Sequence, residues 1–262
     1  MLGTVSVLRR YPVKSMLGED LAEAEVSRSG LARDRRLAVV SRRTGKVASA
    51  KYPRLWREML TLSAEALDDA TARITLPGGD TVSSTDPGVD EVLSAVLGQP
   101  VTLTGTPPPG ATLDRAVPDA VLRDGIKAEV PATLIEIGAA APPGTFVDFA
   151  PLHLITTATL DRIAELSPYR RVRLERYRPN VVIRTDAGGF TENDWLGRDL
   201  QVGDALVLRV IARTPRCAIP TLAHGDLPRD TEALRVVARH NSEQAHWKAK
   251  GGHPGLWARV AS

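Results

Sequence analysis

Short runs of alternating apolar and polar residues dominate the chain and predict β-strands. The first run covers residues 4–11, in which Val5 and Val7 point to the same side. Glycine-containing turns at 44–45 and 77–80 each separate two such runs and predict two hairpins. The remaining predicted strands cover residues 21–26, 37–40, 46–50, 73–76, 81–84, 101–104, 145–149, 153–157 and 205–212.

Three isolated helices are predicted from apolar residues spaced three and four positions apart. The first begins at Asp86-Pro87, and the last spans about 231–240. The middle helix has an apolar face between residues 160 and 166, and Thr157 or Thr159 is available as its N-cap. These helices are few compared with the strands, so they do not change the predicted class.

The order of the elements indicates a mainly β protein with a few helices and a barrel-like arrangement of strands. Residues 106–110, Thr-Pro-Pro-Pro-Gly, are the best candidate for a linker or a domain seam. Residues 111–131 show no clear period and are predicted to be mostly loop. No internal repeat is evident.

Length and composition are those of an ordinary globular protein, with 262 residues, 43% of them apolar, and a formal net charge of +3. The single cysteine excludes an internal disulfide framework and fits a reducing compartment. No apolar run reaches the roughly 18 residues of a membrane-spanning helix. The first residues lack the basic and apolar regions of a signal peptide. A cytoplasmic protein that is not attached to a membrane is therefore expected.

Arginines crowd two parts of the chain, residues 9–43 and residues 170–178. A guanidinium group is a planar fork of donors that suits phosphate and carboxylate groups. The alternatives to such a binding role are a solvated charged face and a nucleic-acid surface. Few aromatic residues lie among these arginines and no basic helix is predicted, so no nucleic-acid partner is expected.

The only cysteine, Cys217, lies in the segment 213–221 that follows the predicted strand 205–212. A thiolate is a strong nucleophile and a soft metal ligand, and the nearby Arg213 and Arg216 favour it over the thiol. Two prolines stiffen this segment, which is predicted to be a loop. The alternative is that Cys217 is a small buried apolar residue, as most lone cysteines are.

Two other kinds of cysteine chemistry find little support in the sequence. Cys217 and His224 could contribute to a zinc site, with His240, His246 and His253 nearby, but their spacing matches no zinc motif. A Cys/His hydrolase would need an oxyanion element, and none is evident. A phosphate loop and a dinucleotide-binding glycine pattern are also lacking.

Four short motifs lie along the chain in a fixed order around the single cysteine. They are Tyr11-Pro12-Val13-Lys14-Ser15, Gly30-Leu31-Ala32-Arg33-Asp34-Arg35, Tyr177-Arg178-Pro179-Asn180 and Thr214-Pro215-Arg216-Cys217. Together they resemble the MOSC family (molybdenum cofactor sulfurase C-terminal domain) with its N-terminal β-barrel partner. Within it they resemble the mitochondrial amidoxime-reducing component and its bacterial counterparts. The resemblance covers nearly the whole chain and implies an N-terminal β-barrel domain at 1–105, packed with a β-barrel-like MOSC domain at 111–262.

The resemblance also implies a molybdenum cofactor, a pterin whose dithiolene holds the metal and whose other end carries a phosphate. Cys217 would be the thiolate ligand of the metal, and Asn180 would lie near the metal or its oxo ligands. The residues implied to contact the cofactor are Lys14, Ser15, Arg35, Thr156, Thr157, Arg178 and Arg216. Considered alone, Lys14 or Arg35 would be a surface cation and Asn180 a turn residue after proline. Arg216 could instead tune the acidity of the thiol or brace the loop.

The activity implied by the resemblance is the reduction of N-hydroxylated or similar N-oxygenated small molecules. Eukaryotic relatives carry a membrane anchor, whereas this chain starts directly at its first predicted strand. A fused ferredoxin-like segment with four cysteines is lacking, so electrons are expected from separate ferredoxin-type or flavin-type proteins. The alternatives are a sulfur carrier in which Cys217 bears a persulfide, a protein that matures the cofactor for other enzymes, and a cofactor carrier without chemistry.

Overall fold

Strands make up more of the fold than helices. The computed structural model describes residues 2–241 and the backbone of residues 256–261. Strands account for 30% and helices for 23%, which confirms a mainly β protein with a few helices. The strands are β1 Thr4–Arg10, β2 Glu19–Leu21, β3 Val26–Ser27, β4 Gly30–Leu31, β5 Ala38–Ser41, β6 Ser63–Ala66, β7 Ala72–Thr75, β8 Thr81–Ser83, β9 Val101–Thr104, β10 Thr112–Ala116, β11 Ala132–Glu136, β12 Leu152–Thr156, β13 Val181–Arg184, β14 Asp199–Val202, β15 Leu206–Thr214 and β16 Leu256–Ala261. The helices are α1 Pro53–Trp56, α2 Val89–Leu97, α3 Pro118–Asp124, α4 Thr157–Leu166 and α5 Glu232–His240, with 3₁₀ helices at Arg57–Thr61, Leu174–Arg176, Thr191–Trp195 and Ile219–Thr221.

The largest sheet joins the beginning of the chain to its second half. Its strands lie in the order β14-β15-β16-β12-β13-β1-β2. β1 pairs antiparallel with both β13 and β2, so that Leu8 lies opposite Val181 on one side and Leu21 on the other. β12 runs parallel to β13 and to β16. The segment after β1, which holds the first motif, is therefore placed beside the segment that precedes β13.

A separate hydrophobic core is formed by residues that lie between positions 13 and 103. β5 pairs with β9, and β6, β7 and β8 form a three-stranded sheet. Val13 and Leu93 are fully buried in this core, and α2 contributes Leu93 from its apolar face. A second core lies against the large sheet and includes Leu154 and Val210. β1 belongs to the large sheet, and its Leu8 packs against the second core, so the beginning of the chain contributes to both cores. The predicted domain boundary at 105–111 stays a proposal.

The three helices with clear apolar periodicity are confirmed as α2, α4 and α5. Thr156 is the N-cap of α4, in place of the predicted Thr157 or Thr159, and its Oγ1 accepts a hydrogen bond from the Thr159 backbone N–H at 3.0 Å. Within the described residues, no helix has both the length and the apolar character that crossing a membrane requires.

One of the two predicted hairpins is confirmed and the other is only partly formed. β7 and β8 pair antiparallel around the turn at 77–80. At the other turn, Gly45 donates its N–H to the Ser41 carbonyl at 2.9 Å, and Val40 forms an isolated bridge with Val47. β5 nevertheless pairs along its whole length with β9, which comes much later in the chain. The glycine-containing pattern at 44–45 predicts this turn, but it does not predict that β9 is the main partner of β5.

Residues 111–131 differ most from their predicted structure. They are not mostly loop, because they contain β10 and α3. β10 pairs antiparallel with β11 over five residues, and Leu113 is fully buried. A five-residue strand followed by a seven-residue helix is too short for either period to stand out in the sequence. This segment matters for the site, because β10 carries Arg115.

Two predicted strands are also wrong. The stretch 21–26 is paired only at its two ends, in β2 and β3, with a loop between them. Residues 145–149 form no strand. Phe146 is fully buried in this loop, and its N–H donates to the Arg35 carbonyl at 2.8 Å. Apolar residues here are buried by tertiary packing, which an alternating pattern cannot distinguish from a half-buried strand.

Candidate functional site

A cleft lies where the segment after β1, the segment before β13 and the cysteine loop meet; we define the cysteine loop as residues 214–222. Six Lys or Arg side chains and one carboxylate line the cleft, so its charge is strongly positive and suits an anionic ligand. The predicted site residues that the structure brings together there are Lys14, Ser15, Arg35, Arg178, Asn180, Arg216 and Cys217. The other polar or charged residues of the lining are Ser49, Lys51, Asp148, His153, Arg176, Tyr177 and Thr214.

Lys14 is held in the cleft by its backbone and by an ion pair. Its N–H donates to the Leu37 carbonyl at 2.9 Å, and its Nζ donates to the Phe146 carbonyl and to Asp148 Oδ1, both at 2.6 Å. Asp148 Oδ2 lies 2.8 Å from Lys51 Nζ, so one carboxylate bridges two lysines. Burial lowers the pKa of Lys14 to about 8, although Asp148 opposes this effect. Lys14 therefore loses its charge at a lower pH than an ordinary lysine does.

Two guanidinium groups share the ring of Tyr11. The Cζ atoms of Arg178 and Arg35 lie 4.2 Å and 4.9 Å from the ring centroid. The tyrosine is almost fully buried, and its hydroxyl donates to the Pro179 carbonyl at 3.2 Å. Contact with the electron-rich face of a ring stabilises a cation. Tyr11 thus allows two like charges to lie close together in one cleft.

Arg35 and Arg178 differ in how their charge is balanced. Burial opposes the charge of Arg35, but its contacts with Asp34 and Tyr11 raise its pKa overall. Burial lowers the pKa of Arg178 to about 10. Its Nη1 is buried and has no hydrogen-bond partner among the described residues. Such a donor costs about 1–3 kcal/mol, which a bound anion would offset.

Strained backbone is concentrated at the cleft. Five non-glycine residues of the described chain have a positive φ, and three of them line the cleft: Ser15 at 66°, Arg35 at 49° and Arg178 at 55°. L-residues adopt this left-handed region only when their surroundings impose it, and such strain collects at functional sites. Ser15 is fixed further by its hydroxyl, which accepts from the Ala50 N–H at 3.2 Å and donates to Ser49 Oγ at 3.3 Å.

Asn180 ties together the ends of three strands and is almost fully buried. Its N–H donates to the His153 carbonyl at 2.7 Å, and its carbonyl accepts from the Arg9 N–H at 2.9 Å. Its side-chain Oδ1 accepts from Arg35 Nη1 at 3.1 Å and from the His153 N–H at 3.2 Å. Its Nδ2 donates to the Arg9 carbonyl at 3.1 Å. The amide is therefore rigidly held beside the cleft, and its role near a metal stays a prediction.

Two arginines from other parts of the chain hold the cysteine loop by its carbonyl groups. Arg115 Nη2 donates to the carbonyls of the two residues before Cys217, at 3.3 and 3.0 Å. Arg176 Nη1 donates to the carbonyls of Pro220 and Leu222, at 3.2 and 2.8 Å. Between these two supports, Cys217 is half-buried and its thiol is free. The loop thus presents one sulfur atom from a fixed backbone.

Arg216 is the cation next to the thiol. Its Cζ lies 5.1 Å from the Tyr177 ring centroid, and its Nη1 donates to the Tyr177 carbonyl at 3.5 Å. Its Nη2 lies 3.5 Å from His153 Nε2. Burial lowers the pKa of Arg216, whereas Tyr177 and Cys217 act in the opposite direction. The guanidinium therefore braces the cysteine loop at the residue that precedes Cys217.

Thr156 and Thr157 are not brought into the cleft. Thr156 is fully buried, and its Oγ1 donates to Glu192 Oε2 at 2.7 Å while it caps α4. Thr159 Oγ1 donates to the same carboxylate oxygen at 2.6 Å, and burial raises the pKa of Glu192. Thr157 Oγ1 accepts from the Thr185 N–H at 3.4 Å. Both threonines serve the start of α4, so this geometry does not support their predicted contact with a cofactor.

The residues of the cleft and its supports that the sequence does not predict as site residues include Tyr11, Lys51, Arg115, Asp148 and Arg176. Tyr11 lies inside the first motif, and this position could have identified it as a site residue. Asp148 is the only Asp, Glu, Lys or Arg between residues 137 and 160, which can indicate a buried ion pair, whereas Lys51 lies in a basic stretch that gives no such signal. Arg115 gave no signal, because the segment around it has no recognisable period.

Within the described part of the chain, no group of three or more His, Cys, Asp or Glu could hold a metal ion. His224 is buried with Nδ1 at 3.0 Å from the Leu222 carbonyl, and His240 is exposed at the end of α5. The other histidines of the zinc alternative, His246 and His253, lie outside the described residues. A metal in the cleft would need ligands from a cofactor, with Cys217 as its protein ligand. One soft sulfur atom among several cations fits a metal dithiolene that carries a phosphate.

Two families match successive parts of the chain. The family described as MOSC N-terminal beta barrel domain matches residues 2–105, and the family described as MOSC domain matches residues 142–262. The mitochondrial amidoxime reducing component 2 of Rattus norvegicus is 27% identical over 84% of this chain and 67% of its own length. The mitochondrial amidoxime-reducing components 1 of Mus musculus and Homo sapiens are 28% and 27% identical, each over 84% of this chain and 66% of their own length. The chain thus spans about two thirds of each relative.

Proposed function

The chain belongs to the proteins that combine a MOSC N-terminal β-barrel domain with a MOSC domain, and on this premise we propose that its cleft binds the molybdenum cofactor and that the protein is an oxidoreductase. The observation that carries the proposal is that the only thiol of the chain lies in the same cleft as several buried cations. The buried Arg178 Nη1, without a partner among the described residues, fits an anionic ligand. The names of the three relatives support a reductase.

Each side of the cleft has its own part in holding the cofactor. When bound, the cofactor supplies the redox chemistry. Cys217 would hold the metal through its thiolate, and Arg216 would brace the loop that carries it. Lys14 and Ser15, with Arg35 and Arg178, hold the phosphate and the pterin. Asn180 fixes the position of Arg35 relative to the large sheet, because its side chain bonds to Arg35 and to the backbone at the ends of β1 and β12.

We propose N-hydroxylated or similar N-oxygenated small molecules as the substrates. Reducing an N–OH group to N–H releases water and takes two electrons and two protons. The electrons come from separate ferredoxin-type or flavin-type proteins, because the chain has one cysteine and cannot hold an iron–sulfur cluster of its own. The expected cytoplasmic location and the expected lack of nucleic-acid partners stay predictions.

Elemental analysis tests the binding part of this proposal. The full chain, made in a host that synthesises the cofactor, should contain about one molybdenum atom per chain, one thiolate holding one metal. Cys217→Ala and Cys217→Ser should contain almost none. Thr81→Ala, an exposed substitution on β8, is the control and should load like wild type. A wild-type chain without molybdenum would reject cofactor binding.

Turnover tests the catalytic part separately. Loaded protein is given a reduced dye and benzamidoxime, and the formation of benzamidine is measured. Steady reduction that disappears in Cys217→Ser supports the oxidoreductase. Loaded protein without turnover rejects it and leaves a cofactor carrier.

A second candidate function is sulfur carriage, which is favoured by the half-buried free thiol beside Arg216. The Cys217 thiolate would take the outer sulfur of a desulfurase persulfide, which leaves the desulfurase cysteine reduced, and would pass this sulfur on when the cofactor of another enzyme is matured. Mass spectrometry after incubation with a cysteine desulfurase and cysteine should then show one added sulfur on wild type and none on Cys217→Ser. No added sulfur on wild type would reject this function.

A further inference from the structure

We propose that Asp148 is a displaceable counter-ion of the cleft: it bridges the ammonium groups of Lys14 and Lys51, and a phosphate monoester competes with it for this position. The inference rests on the proposed function, since it concerns the phosphate end of the cofactor. It adds Lys51 as a phosphate-binding residue and Asp148 as the competitor of the phosphate, and neither lies in one of the four sequence motifs.

The geometry shows that one small anion is sufficient to hold both lysines. Asp148 Oδ1 lies 2.6 Å from Lys14 Nζ, and Oδ2 lies 2.8 Å from Lys51 Nζ. Because both oxygens belong to one carboxylate, the two ammonium groups lie on either side of a single group of about the width of a phosphate. A phosphate has three acceptor oxygens. It can bridge the same two lysines and keep an oxygen for a further donor.

The lysines are deeper than the carboxylate that joins them. The exposed fraction of the side chain is 4% for Lys14, 13% for Lys51 and 29% for Asp148. A buried ammonium without an anion is strongly unfavourable, so these lysines need a counter-ion at all times. Asp148 lies in the loop that precedes β12, where turning its side chain towards solvent would break no strand pairing. The carboxylate of Asp148, and not either lysine, is therefore the member of this cluster that can be exchanged for another anion.

Two further cations favour a dianion over a carboxylate at this position. The charge of Asp148 acts on the pKa of Arg35 and of Arg178, as it does on that of Lys14. Four cations thus act on this position; Asp34 pairs with Arg35, and Asp148 supplies one negative charge for the other three. A phosphate monoester supplies about −1.5 to −2 near neutral pH. It balances this cluster better than Asp148 does.

The opposite role for Asp148 is that of a permanent support. In that case its carboxylate would hold Lys14 and Lys51 in position for the anion, and removing it would weaken anion binding. As a competitor, its removal strengthens anion binding. The sign of the change in affinity therefore distinguishes the two roles.

Calorimetric titration of the full, cofactor-free chain with sodium sulfate and with sodium phosphate at about pH 6 measures this sign. At that pH Lys14 is protonated, since its pKa is about 8. We expect Asp148→Asn to bind sulfate about tenfold more tightly than wild type, because a nearby negative charge has been removed. Adding Lys51→Met should abolish the gain. Adding Lys46→Met, which removes a lysine paired with Asp114 outside the cleft lining, should leave it unchanged.

Unchanged or weaker sulfate binding by Asp148→Asn would overturn the proposal. So would a gain that survives Lys51→Met, or one that Lys46→Met abolishes equally. Asp148→Ser carries the same expectation and serves if thermal unfolding shows that Asp148→Asn does not fold. The titration uses neither molybdenum nor turnover, so its failure and the failure of cofactor binding are separate results.

Discussion

The two sides of the cleft are built in different ways. One side, which we call the charged wall, consists of residues 11–15, Asp34, Arg35, Lys51 and Arg178; the other side is the cysteine loop. In the charged wall the side chains are held by ion pairs and by the ring of a tyrosine, and the backbone is strained at three positions. In the cysteine loop the backbone is held through its carbonyl groups, and the thiol is left free.

This difference indicates what each side contributes. The charged wall determines how tightly an anion is bound, and each of its charges can be changed separately. The cysteine loop determines where one sulfur atom lies, and small displacements of a reacting group have large effects. We therefore expect graded changes in affinity from the charged wall, and combined changes in stability and metal loading from the supports of the cysteine loop.

The largest effect is expected from removing a support of the cysteine loop. Arg176 is 4% exposed, and Arg176→Leu removes its hydrogen bonds to the Pro220, Leu222 and Pro228 carbonyls. Hydrogen bonds from a charged group contribute about 1.5–3 kcal/mol each, so the free energy of unfolding should fall by about 4 kcal/mol, and molybdenum loading should be lost. Urea unfolding measures the first effect. Arg173→Leu is the control: it removes an exposed ion pair with Glu175 and should cost no more than about 0.5 kcal/mol. Equal losses would contradict a specific support.

The next effect is a dependence of the free energy of unfolding on pH, which arises from Lys14 in the charged wall. Burial lowers the pKa of Lys14 from 10.5 to about 8, with further effects of Asp148, Lys51 and Arg35. Between these pH values the unfolded chain binds more protons than the native protein, so stability rises with pH. The unfavourable contribution of the buried charge is complete below about pH 8 and is relieved towards pH 10.5.

The free energy of unfolding of wild type, relative to that of Lys14→Met, should therefore rise by about 3 kcal/mol across this range. Sulfate affinity should fall in the same range, because a neutral lysine binds an anion less well. Urea unfolding at a series of pH values, with Lys14→Met as the reference, checks the first expectation. A difference that does not vary with pH would mean that Lys14 keeps its ordinary pKa.

A smaller effect is expected from the tyrosine that the two arginines share. Tyr11→Leu removes the ring between Arg35 and Arg178 and should lower the free energy of unfolding by about 2 kcal/mol and weaken sulfate binding. Tyr11→Phe keeps the ring and loses only the hydrogen bond to the Pro179 carbonyl, so it should cost about 1 kcal/mol and leave sulfate binding unchanged. If both variants weakened sulfate binding equally, the ring contact would not be what positions the arginines.

The smallest effect compares strained backbone inside and outside the cleft. Arg170 has φ 49° and is exposed, so Arg170→Gly should raise the free energy of unfolding by up to about 1 kcal/mol. Ser15→Gly relieves the same kind of strain but loses the hydroxyl bonds to Ser49 and Ala50, so its net effect should be close to zero. Thermal unfolding measures both changes, with Arg170→Ala as the control that should give no gain. A clear gain from Ser15→Gly would mean that these hydroxyl bonds contribute little.

The parts of the site that could be predicted are those encoded in short stretches of sequence. Lys14 and Cys217 lie in motifs of a few residues, and the residues around them are sufficient to identify them. The three longer helices were also predicted, because an apolar stripe of nine or ten residues is a local property. In contrast, Thr156 and Thr157 belong to a recognisable stretch, but their hydroxyls are used at the start of α4.

The rest of the site depends on pairs that are distant in the chain. Lys14 and its partner Asp148 are 134 residues apart, and Arg115 and the Arg216 carbonyl are 101 residues apart. No periodic pattern connects such positions, because strand pairing and loop packing bring them together only in the folded chain. For the same reason the main partner of β5 was not predicted, although the turn that follows it was.

The position of β1 in the large sheet affects how the protein can be made in the cell. Thr4 lies opposite Arg184, so the ribosome must add 180 residues before the first strand can meet its central partner. At about 5–20 residues per second this takes roughly 10–40 s. During this time the nascent chain carries an unpaired edge that chaperones can recognise and other chains can pair with. The basic residues that follow β1 reach their final position only after this delay, so the charged wall is complete only once the chain has been translated beyond Arg184.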